Sequence, residues 1–578
     1  MNEAQKTLFC EKKIIIHNQY VQPIKKKIVF KPYSQDQEFL LPKSLNDFVS
    51  QGHISRLIST IIDQMDTSYI TATYKGGGTS AYDPKLLLKS WILGFIYKIY
   101  SCRLLAKNLR ENLPFVWISG NQTPNFRTLN NFRLRLKEDI KKIFKAIVTY
   151  GLESGIIEGK DIFIDHSKKE ANANKYKIVW KKQVEKQLSK IDAELDALFE
   201  YIDKVNDEEE EIFAGKDFPE QERKNFDKKK VQEIVNKIND KIKNKELSKE
   251  KAKELKKKTL RTQELQERKE NYNKKKEILG QRNSYSKTDK DAVAMMMKDK
   301  ITIRPAYNEG IAVENGLVLN YVISDNCGDT VSFIPLMNGV IENLNKNPEN
   351  VNADGAYGNE ESMDYLRQKR IGNYLKYGTY QKEKSKKWRT EKFRFEDFIY
   401  NKEKDEFICK NGIKLQFEKE FEEHTKAGYV KIIKKYRAEE GKCPSCLFYA
   451  QCTKAQARTI DVSWNGETLR QQARENLNSQ KGIELRKRRG NEVESVFGDA
   501  KFNKNKKQYN LRGIEKVTLE AGLYYIAHNL RKIHQHENKP RKKLIVFETK
   551  TIISNPAVHK KHNWFAQLAP IGRILVGS

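Results

Sequence analysis

Apolar residues recur every three or four positions in two stretches near the start of the chain. The first stretch is carried by Ile54, Leu57, Ile58, Ile61 and Ile62. This spacing places them on one face of a helix. The second stretch begins at Pro84, where the missing N–H of proline costs a helix nothing, and its apolar residues surround most of the helix, which predicts burial. After an irregular lead-in over residues 1–50, the pattern predicts a helical unit over residues 51–150.

The helical unit contains a basic segment. Helices are predicted over residues 101–112 and 127–136, with a loop through Gly120 and Pro124 between them. The second helix carries Arg127, Asn130, Asn131, Arg133 and Arg135. A short helix, a turn and a basic second helix are typical of a helix-turn-helix, in which arginine and asparagine reach phosphates or base edges. A helical bundle with a solvated basic face explains the pattern equally well, because the turn lacks tight glycine spacing.

Short apolar or alternating runs typical of strands follow the helical unit. Two of them end in carboxylates, at Asp165 and Asp354. Between them, residues 302–323 alternate around the turn Glu314–Asn315–Gly316, which is a strong hairpin signal. Further helices are predicted over residues 332–344 and 360–369, and a last strand over residues 371–375. The order predicts an α/β fold, a mixed sheet covered by helices, over residues 151–180, 290–380 and 481–535.

Residues 181–289 differ sharply in composition from the strand patterns on either side. Residues 181–280 hold 27 Lys and Arg against 24 Asp and Glu, and their apolar positions are sparse but periodic, as at Leu188, Ile191 and Leu195. Such a segment is typical of a helical hairpin or coiled coil with salt-bridged faces. We therefore predict a helical insertion, with a break near residues 215–219, rather than a part of the core.

The chain is strongly basic as a whole. Its 578 residues include 109 Lys and Arg against 77 Asp and Glu, a net charge of +32. Residues 481–550 alone hold 18 basic and 8 acidic residues, so the charge is concentrated near the end of the sheet region rather than in the insertion. This balance favours a polyanionic partner. Because no run approaches the length of a membrane helix, we expect no membrane span.

The carboxylates at strand ends are the strongest candidates for chemistry. Asp165 and Asp354 lie where ligands bind in open α/β sheets, at the carboxyl ends of strands. Glu492 and Glu494 each offer a third acid, but both border the apolar stripe of the helix predicted over residues 491–503, so periodicity does not choose between them. Converging carboxylates suit hard divalent cations. Two such ions about 4 Å apart activate a water or hydroxyl and stabilise the leaving oxygen of a phosphodiester.

Three segments resemble the acidic motifs of the DDE transposases of bacterial insertion sequences. They are residues 164–176 (IDHSKKEANANKY), 352–358 (NADGAYG) and 493–498 (VESVFG), the last followed by Lys501 and by Leu511, Arg512 and Gly513. His166, next to the first acid, stands where many relatives have glycine. Residues 82–133 resemble the helical domain that precedes the catalytic domain in IS-four-like transposases.

The resemblance implies an RNase H-like fold, two Mg²⁺ or Mn²⁺ ions, cleavage at transposon ends and joining of 3′ ends to target DNA. It implies Asp165, Asp354 and Glu494 as metal ligands, and so settles on Glu494. The residues expected to contact DNA are Lys501, Arg489, Arg488, Arg512, Arg127, Arg133 and Lys376. The expected partner is double-stranded DNA, bound by a homodimer in the bacterial cytoplasm, at the nucleoid. An RNase H-like nuclease without strand transfer and a catalytically decayed DNA-binding protein are the alternatives.

A cysteine cluster lies in a second predicted insertion, over residues 381–480. Its members are Cys409, Cys443, Cys446 and Cys452. Cys443 and Cys446 have the spacing of a metal knuckle, and four thiolates in a cytosolic protein suggest a structural Zn²⁺. Reduced, unligated cysteines are the alternative. A basic tail is predicted over residues 536–578.

Overall fold

The computed structural model describes residues 44–74, 80–213, 236, 240, 243, 249–390, 393–425 and 427–538. Most of the predicted lead-in and of the predicted tail lies outside the described residues, as does the predicted break near residues 215–219. The described chain is a mixed α/β structure with a mixed sheet, which confirms the predicted fold class at that level. No helix within these ranges is long and apolar enough to cross a membrane.

A group of helices forms the N-terminal part of the described chain. Their bounds are α1 Ile54–Gln64, α2 Ser68–Thr71, α3 Pro84–Ile96, α4 Cys102–Glu111, α5 Leu113–Ile118, α6 Phe126–Arg135 and α7 Ile140–Glu153. α3 begins where the Asp83 side chain accepts the Lys85 N–H at 2.6 Å. Trp91, near the middle of α3, is fully buried. The two helices expected of a helix-turn-helix are α4 and α6, and the sequence pattern did not reveal α5 between them.

The mixed sheet follows the helices. The strands up to residue 380 are β1 Asp161–Glu170, β2 Ile178–Trp180, β3 Ser284–Ser286, β4 Val293–Met296, β5 Ile303–Glu314, β6 Leu317–Ser324, β7 Asn350–Gly358 and β8 Gly372–Tyr377. β1 is central: it runs antiparallel to β5 and parallel to β7, and β8 continues in parallel beyond β7. β4 and β6 pair with the two ends of β5 on its other edge. β5 and β6 meet at the predicted turn, where Asn315 and Gly316 have φ values of 52° and 75°.

Two long helices occupy the predicted helical insertion. They are α8 Lys181–Phe213 and α9 Lys249–Leu279. They pack antiparallel, since Leu188 of α8 clusters with Leu279 of α9, and Leu195, later in α8, clusters with Leu265, earlier in α9. An ion pair between Arg261 and Glu194, at 2.8 Å, links their polar faces. β2 pairs with β3 at the base of this hairpin, so the chain leaves and re-enters the sheet region at adjacent points.

A second, antiparallel sheet is inserted after β8. Its strands are β9 Ile399–Asn401, β10 Glu406–Ile408, β11 Lys414–His424, β12 Val430–Ala438 and β13 Thr459–Val462, in the spatial order β13-β12-β11-β10-β9. It has its own apolar core, which includes Phe407, Leu415 and Tyr436. The sequence indicated an insertion here but did not predict a sheet.

The remaining helices pack mostly on the mixed sheet. They are α10 Phe333–Leu344, α11 Glu360–Gln368, α12 Lys386–Thr390, α13 Tyr449–Cys452, α14 Trp464–Asn478, α15 Gln480–Arg489, α16 Ser495–Gly498 and α17 Ile514–Glu537. α10 packs against β6, and α14 packs chiefly against β8. The inserted sheet therefore ends at Val462, before the predicted boundary of the second insertion at residue 480.

α17 joins the N-terminal helices to the mixed sheet. It packs against α3, α7 and β6 within one continuous apolar core. Asn529 is fully buried and satisfies both backbone groups of Val318, accepting at 2.9 Å and donating at 2.8 Å. Gly522 allows close packing, because a Cβ there would lie 2.3 Å from the Tyr321 hydroxyl oxygen. The helical unit and the sheet thus share a core.

Replacing residues 182–282 with a short glycine–serine linker is expected to leave the rest of the chain folded. The Lys181 N–H already donates to the Asn283 carbonyl at 2.9 Å, so a short link closes the gap without moving either strand. Circular dichroism should show less helix and a thermal transition that is still cooperative. A variant without a cooperative transition would show that the hairpin is integral to the fold.

Candidate active site

The mixed sheet brings two carboxylates together. Ile164 in β1 pairs with Ala353 in β7 in parallel register, and Asp165 and Asp354 are the next residues of the two strands. Ile164 and Ala353 are fully buried, so the core fixes this register. The two predicted acids therefore lie on neighbouring strands at the same level of the sheet.

Two cations compensate the paired carboxylates. Arg489 Nη2 lies 3.4 Å from Asp165 Oδ1, and Lys376 Nζ lies 3.3 Å from Asp354 Oδ1. Burial raises the pKa of Asp165, and the charge of Arg489 offsets this only in part. Burial also acts on Asp354, but Arg489 and Lys376 outweigh it, so the pKa of Asp354 is lowered. The site thus contains a more buried carboxylate, Asp165, and a less buried one, Asp354. The charge of the Arg489 guanidinium acts on both.

The third acidic segment is a helix whose winding changes twice. α15 continues into a π-helical turn at Gly490–Glu494, then into α16, then into a second π-helical turn at Asp499–Asn503. Such turns are rare and often occur at functional sites. The first π turn packs against β1 and β5, with Val493 fully buried. This contact brings the acidic turn to the strand that carries Asp165.

The two glutamates of the first π turn have different surroundings. Glu492 accepts the Gly316 N–H at 2.8 Å and lies 3.6 Å from the guanidinium of Arg488. It therefore fastens the turn to the β5–β6 hairpin. Glu494 is exposed and makes no hydrogen bond or ion pair with any residue that the structure describes. The periodicity of the sequence did not choose between these two acids. In the structure, the Glu492 carboxylate is used in contacts that hold the fold, whereas the Glu494 carboxylate is available to bind a ligand.

Lys501 anchors the second π turn to β1. Its ammonium group donates to Ser167 Oγ and, at 3.4 Å, to the Lys168 carbonyl. Burial and the charge of Lys298 lower its pKa to about 8. Because Ser167 is two residues beyond Asp165 in β1, Lys501 lies near the paired carboxylates.

His166 is buried next to Asp165. Its Nδ1 is hydrogen-bonded to the Tyr357 hydroxyl, and its Nε2 has no partner in the described ranges. Burial lowers the pKa of His166 to about 4, so the ring is neutral at pH 7. A Cβ at Gly310 would lie 2.2 Å from Nε2, so the ring needs a glycine opposite it. Sequence reasoning missed Tyr357 and Gly310, although a glycine inside a strand signals a close approach.

Two more arginines expected at the DNA surface lie near the same strand. Arg488 pairs with Asp161 at the start of β1, at 3.0 Å. Arg512 donates to the Asn172 carbonyl at 2.7 Å, just beyond the end of β1. The two arginines thus bind a carboxylate at the start of β1 and a backbone carbonyl just after its end, on the strand that carries Asp165.

The two arginines of α6 differ sharply. Arg127 is exposed, with its guanidinium 5.9 Å from the centre of the Phe126 ring. Arg133 is only 5 % exposed, donates to Asn130 Oδ1 at 2.9 Å and lies 4.6 Å from the centre of the Trp91 ring. The expectation that Arg133 contacts DNA stays a prediction; in this structure its side chain packs into the helical core beside Trp91.

The cysteine cluster lies around one small cavity of the second sheet. The cavity is lined by Cys409, Cys443, Cys446 and Cys452. Cys443 Sγ accepts the Arg458 N–H, and Cys446 Sγ accepts the Asn411 side-chain amide, both at 3.3 Å. Burial raises the pKa of the Cys452 thiol, and the neighbouring cysteines add to this. All four are free thiols.

The cysteine cluster and the paired carboxylates are the two candidate sets of metal ligands. Across the described ranges, no group of three or more His, Cys, Asp or Glu side chains is placed to hold a metal ion, so the structure does not gather Glu494 with Asp165 and Asp354 into one three-carboxylate group. The zinc prediction therefore stays a prediction, with a shared cavity as its one structural support. On the interior strands β1 and β7, Asp165 and Asp354 offer the oxygen donors that Mg²⁺ and Mn²⁺ prefer. Lys376 and Arg489 form ion pairs with these two carboxylates, which shows that the pair attracts positive charge.

Two parts of the chain match known protein families. Residues 408–534 match the family described as Transposase DDE domain. Residues 43–135 match the family described as Transposase domain (DUF772). The first match includes Glu494 and the cysteine cluster, and the second includes α1 to α6. No curated protein and no solved structure matches the chain.

Replacing each glutamate of the first π turn with alanine should separate their roles. Glu492→Ala is expected to lower the free energy of unfolding by about 2 kcal/mol, because hydrogen bonds to charged groups contribute about 1.5–3 kcal/mol. Glu494→Ala should leave stability nearly unchanged, because its side chain is exposed. Thermal and denaturant melting of both variants measures this. Equal losses would contradict the structural role of Glu492.

Proposed function

Since this chain belongs to the DDE transposases of insertion sequences, we propose that it cleaves DNA at the ends of its own element with metal ions held by Asp165, Asp354 and Glu494. The observation that carries the proposal is the parallel pairing of β1 with β7, which sets Asp165 beside Asp354. Glu494 supports the proposal because it is an exposed acid in the first π turn, which packs against β1.

The chain itself contributes charge balance and positioning to this chemistry. Mg²⁺ or Mn²⁺ at the carboxylates would act as Lewis acids toward the attacking water or hydroxyl and the leaving oxygen. Arg489 and Lys376 lie within 3.4 Å of those carboxylates, so a phosphate at the site is within their reach. Their charges would offset that of the scissile phosphate and its neighbours. Lys501 holds the glutamate-bearing segment against β1.

We assign the mixed sheet to an RNase H-like catalytic domain. In spatial order, the antiparallel strands β6, β5 and β1 are followed by β7 and β8, which run parallel to β1. This arrangement supports the fold that the resemblance to DDE transposases implies. On this assignment, α8 and α9 interrupt the domain after its first strand and the second sheet interrupts it after β8.

We assign recognition of the transposon end to α4 and α6. The guanidinium groups of Arg103 and Arg127 lie 5.1 and 5.9 Å from the centre of the exposed Phe126 ring. With Asn130 and Asn131, these residues line a cavity of about 330 Å³. Guanidinium groups bind phosphates and guanine edges, and asparagine amides pair with adenine edges. The partner is double-stranded DNA, held by a homodimer that brings two ends together.

The carboxylates are expected to be indispensable for cleavage but not for binding. Asp165→Asn, Asp354→Asn and Glu494→Gln should each lower the rate of Mg²⁺-dependent end cleavage by about 10³-fold or more, since each removes a charged ligand. Gel-shift affinity for the same end should change little. Glu492→Gln is the matched control and should still cleave. Full Mg²⁺-dependent cleavage by any of the first three variants would remove that residue from the proposed triad.

A joining assay distinguishes a transposase from a nuclease that only cuts. Pre-cleaved ends with labelled 3′-hydroxyl groups are incubated with a supercoiled plasmid and Mg²⁺. We expect covalent transfer of the label to the plasmid in the wild type and none in Asp354→Asn. Efficient cleavage without any transfer would favour an RNase H-like nuclease without strand transfer.

Removing one exposed arginine of α6 should weaken end binding. Arg127→Ala is expected to lower affinity and to reduce the slope of log affinity against log salt by about one if it contacts a phosphate. Lys186→Ala, at an exposed position of α8, is the charge-matched control. Fluorescence anisotropy over a salt series measures both. Equal slopes for the two variants would place the end elsewhere on the protein.

A further inference from the structure

The backbone ladder between β1 and β7 ends just before the two acids. Its last pair is Ile164 with Ala353. On the other edge of β7, the register with β8 shifts between Ala353 and Gly358. Asp165 and Asp354 are the next residues of their strands, so both acids lie beyond the last pair of the ladder. The ladder by itself therefore leaves the spacing of the two carboxylates open.

A buried pair of side chains joins the two strands just beyond the acids. The Nδ1 atom of His166, one residue after Asp165, shares a hydrogen bond with the hydroxyl of Tyr357, three residues after Asp354. His166 is only 7 % exposed and Tyr357 only 1 %. Water competes little for a hydrogen bond at such a place, so the bond holds its geometry. This pair, here called the His166–Tyr357 clasp, connects β1 with β7 past the end of their ladder.

The surroundings hold both rings of the clasp in place. The centre of the Tyr357 ring lies 6.0 Å from the centre of the Phe333 ring, which is fully buried at the start of α10. The His166 ring lies against Gly310 of β5, where a Cβ would be 2.2 Å from Nε2. Movement of either ring would therefore disturb the core on that side of the sheet.

The clasp reaches the first acid through the backbone. The His166 N–H donates to Oδ1 of Asp165 at 2.9 Å. Successive side chains of a strand point to opposite faces of a sheet, so the His166 ring holds β1 from the face opposite to the Asp165 carboxylate. The position of the ring thus fixes the N–H group that orients this carboxylate. In the same way, Tyr357 fixes the irregular segment of β7 that begins at Asp354.

We propose that His166 and Tyr357 are positioning residues that set the separation of the Asp165 and Asp354 carboxylates for metal binding. This inference rests on the proposed function, because it requires that the two carboxylates hold metal ions. Groups that orient the ligands of a metal ion typically change its affinity by about 10–100-fold when they are replaced. A glycine at position 166 would not form the link.

A titration of the full chain with Mn²⁺ measures the effect of the clasp without requiring cleavage. The loss of the free-ion signal in electron paramagnetic resonance reports binding. Tyr357→Phe removes the hydroxyl and keeps the ring against Phe333. It should weaken Mn²⁺ binding about tenfold, because the two carboxylates are no longer held at one spacing. The half-saturating Mg²⁺ concentration for end cleavage should rise by a similar factor, whereas the rate at saturating Mg²⁺ should fall much less.

A double-mutant cycle tests whether the two residues act through one bond. His166→Ala should also weaken Mn²⁺ binding. Adding Tyr357→Phe to His166→Ala should then change the affinity by less than about twofold, because the bond is already lost. The space left by the missing imidazole is present in both chains of that comparison, so its effect cancels.

Tyr307→Phe is the matched control. Tyr307 is fully buried in β5, and its hydroxyl donates to the Asp289 carboxylate at 2.9 Å. Because hydrogen bonds to charged groups are the stronger ones, this variant should lower the Tm at least as much as Tyr357→Phe does. Its Mn²⁺ affinity should be that of the wild type. Thermal melting of each variant checks that the chain is folded.

The outcomes separate this inference from the function on which it rests. Equal Mn²⁺ affinity in the wild type and in Tyr357→Phe would overturn the clasp while the proposed function stands. Additive losses in the cycle, or an equal loss of affinity in Tyr307→Phe, would do the same. A wild-type chain that binds Mn²⁺ but cleaves no end would overturn the proposed function. One that binds no Mn²⁺ would overturn the metal site and the clasp together.

Discussion

The parallel pairing of β1 with β7 is the constraint on which the site depends. A slip of one residue would turn one carboxylate to the opposite face of the sheet and separate it from the other. Buried residues before each acid, Phe163 and Ile164 on one strand and Val351 and Ala353 on the other, make such a slip costly. The helical insertion begins only after β1 and β2 have ended, and the second sheet is inserted only after β8 has ended. Neither insertion therefore disturbs the register of β1 with β7.

Charge is the second constraint, and it follows from the first. Two carboxylates held together in a half-buried place repel each other unless positive charge is near. Arg489 and Lys376 supply it from α15 and β8, elements far apart in the sequence. The same cations, with Lys501 and Lys298 close by, give the site a positive border around an acidic centre. A polyanion that brings its own phosphates to bound metal ions is complementary to this arrangement.

The strands that carry the paired acids were predictable because their signals are local, but the prediction that they end at the acids was wrong, since β1 continues to Glu170 and β7 to Gly358. Asp165 and Asp354 each follow a short apolar run, and Asn315–Gly316 marks its hairpin by turn chemistry alone. The choice between Glu492 and Glu494 was not predictable from the residue pattern, because π-helical turns break the period of 3.6 residues on which helix faces are assigned. The burial of Arg133 depends on Trp91, a partner from another helix. The second sheet was missed because β11 is mostly exposed and charged, without the alternation that marks a strand.

The most direct test of this account is a titration of the full chain with Mn²⁺, followed by the loss of the free-ion signal in electron paramagnetic resonance. We expect saturable binding by the wild type that is strongly weakened in Asp165→Asn and in Asp354→Asn, and retained in Glu492→Gln. Binding of equal affinity in the variants of both paired carboxylates would contradict it. The ion would then be held elsewhere, and the pairing of β1 with β7 would serve the fold alone.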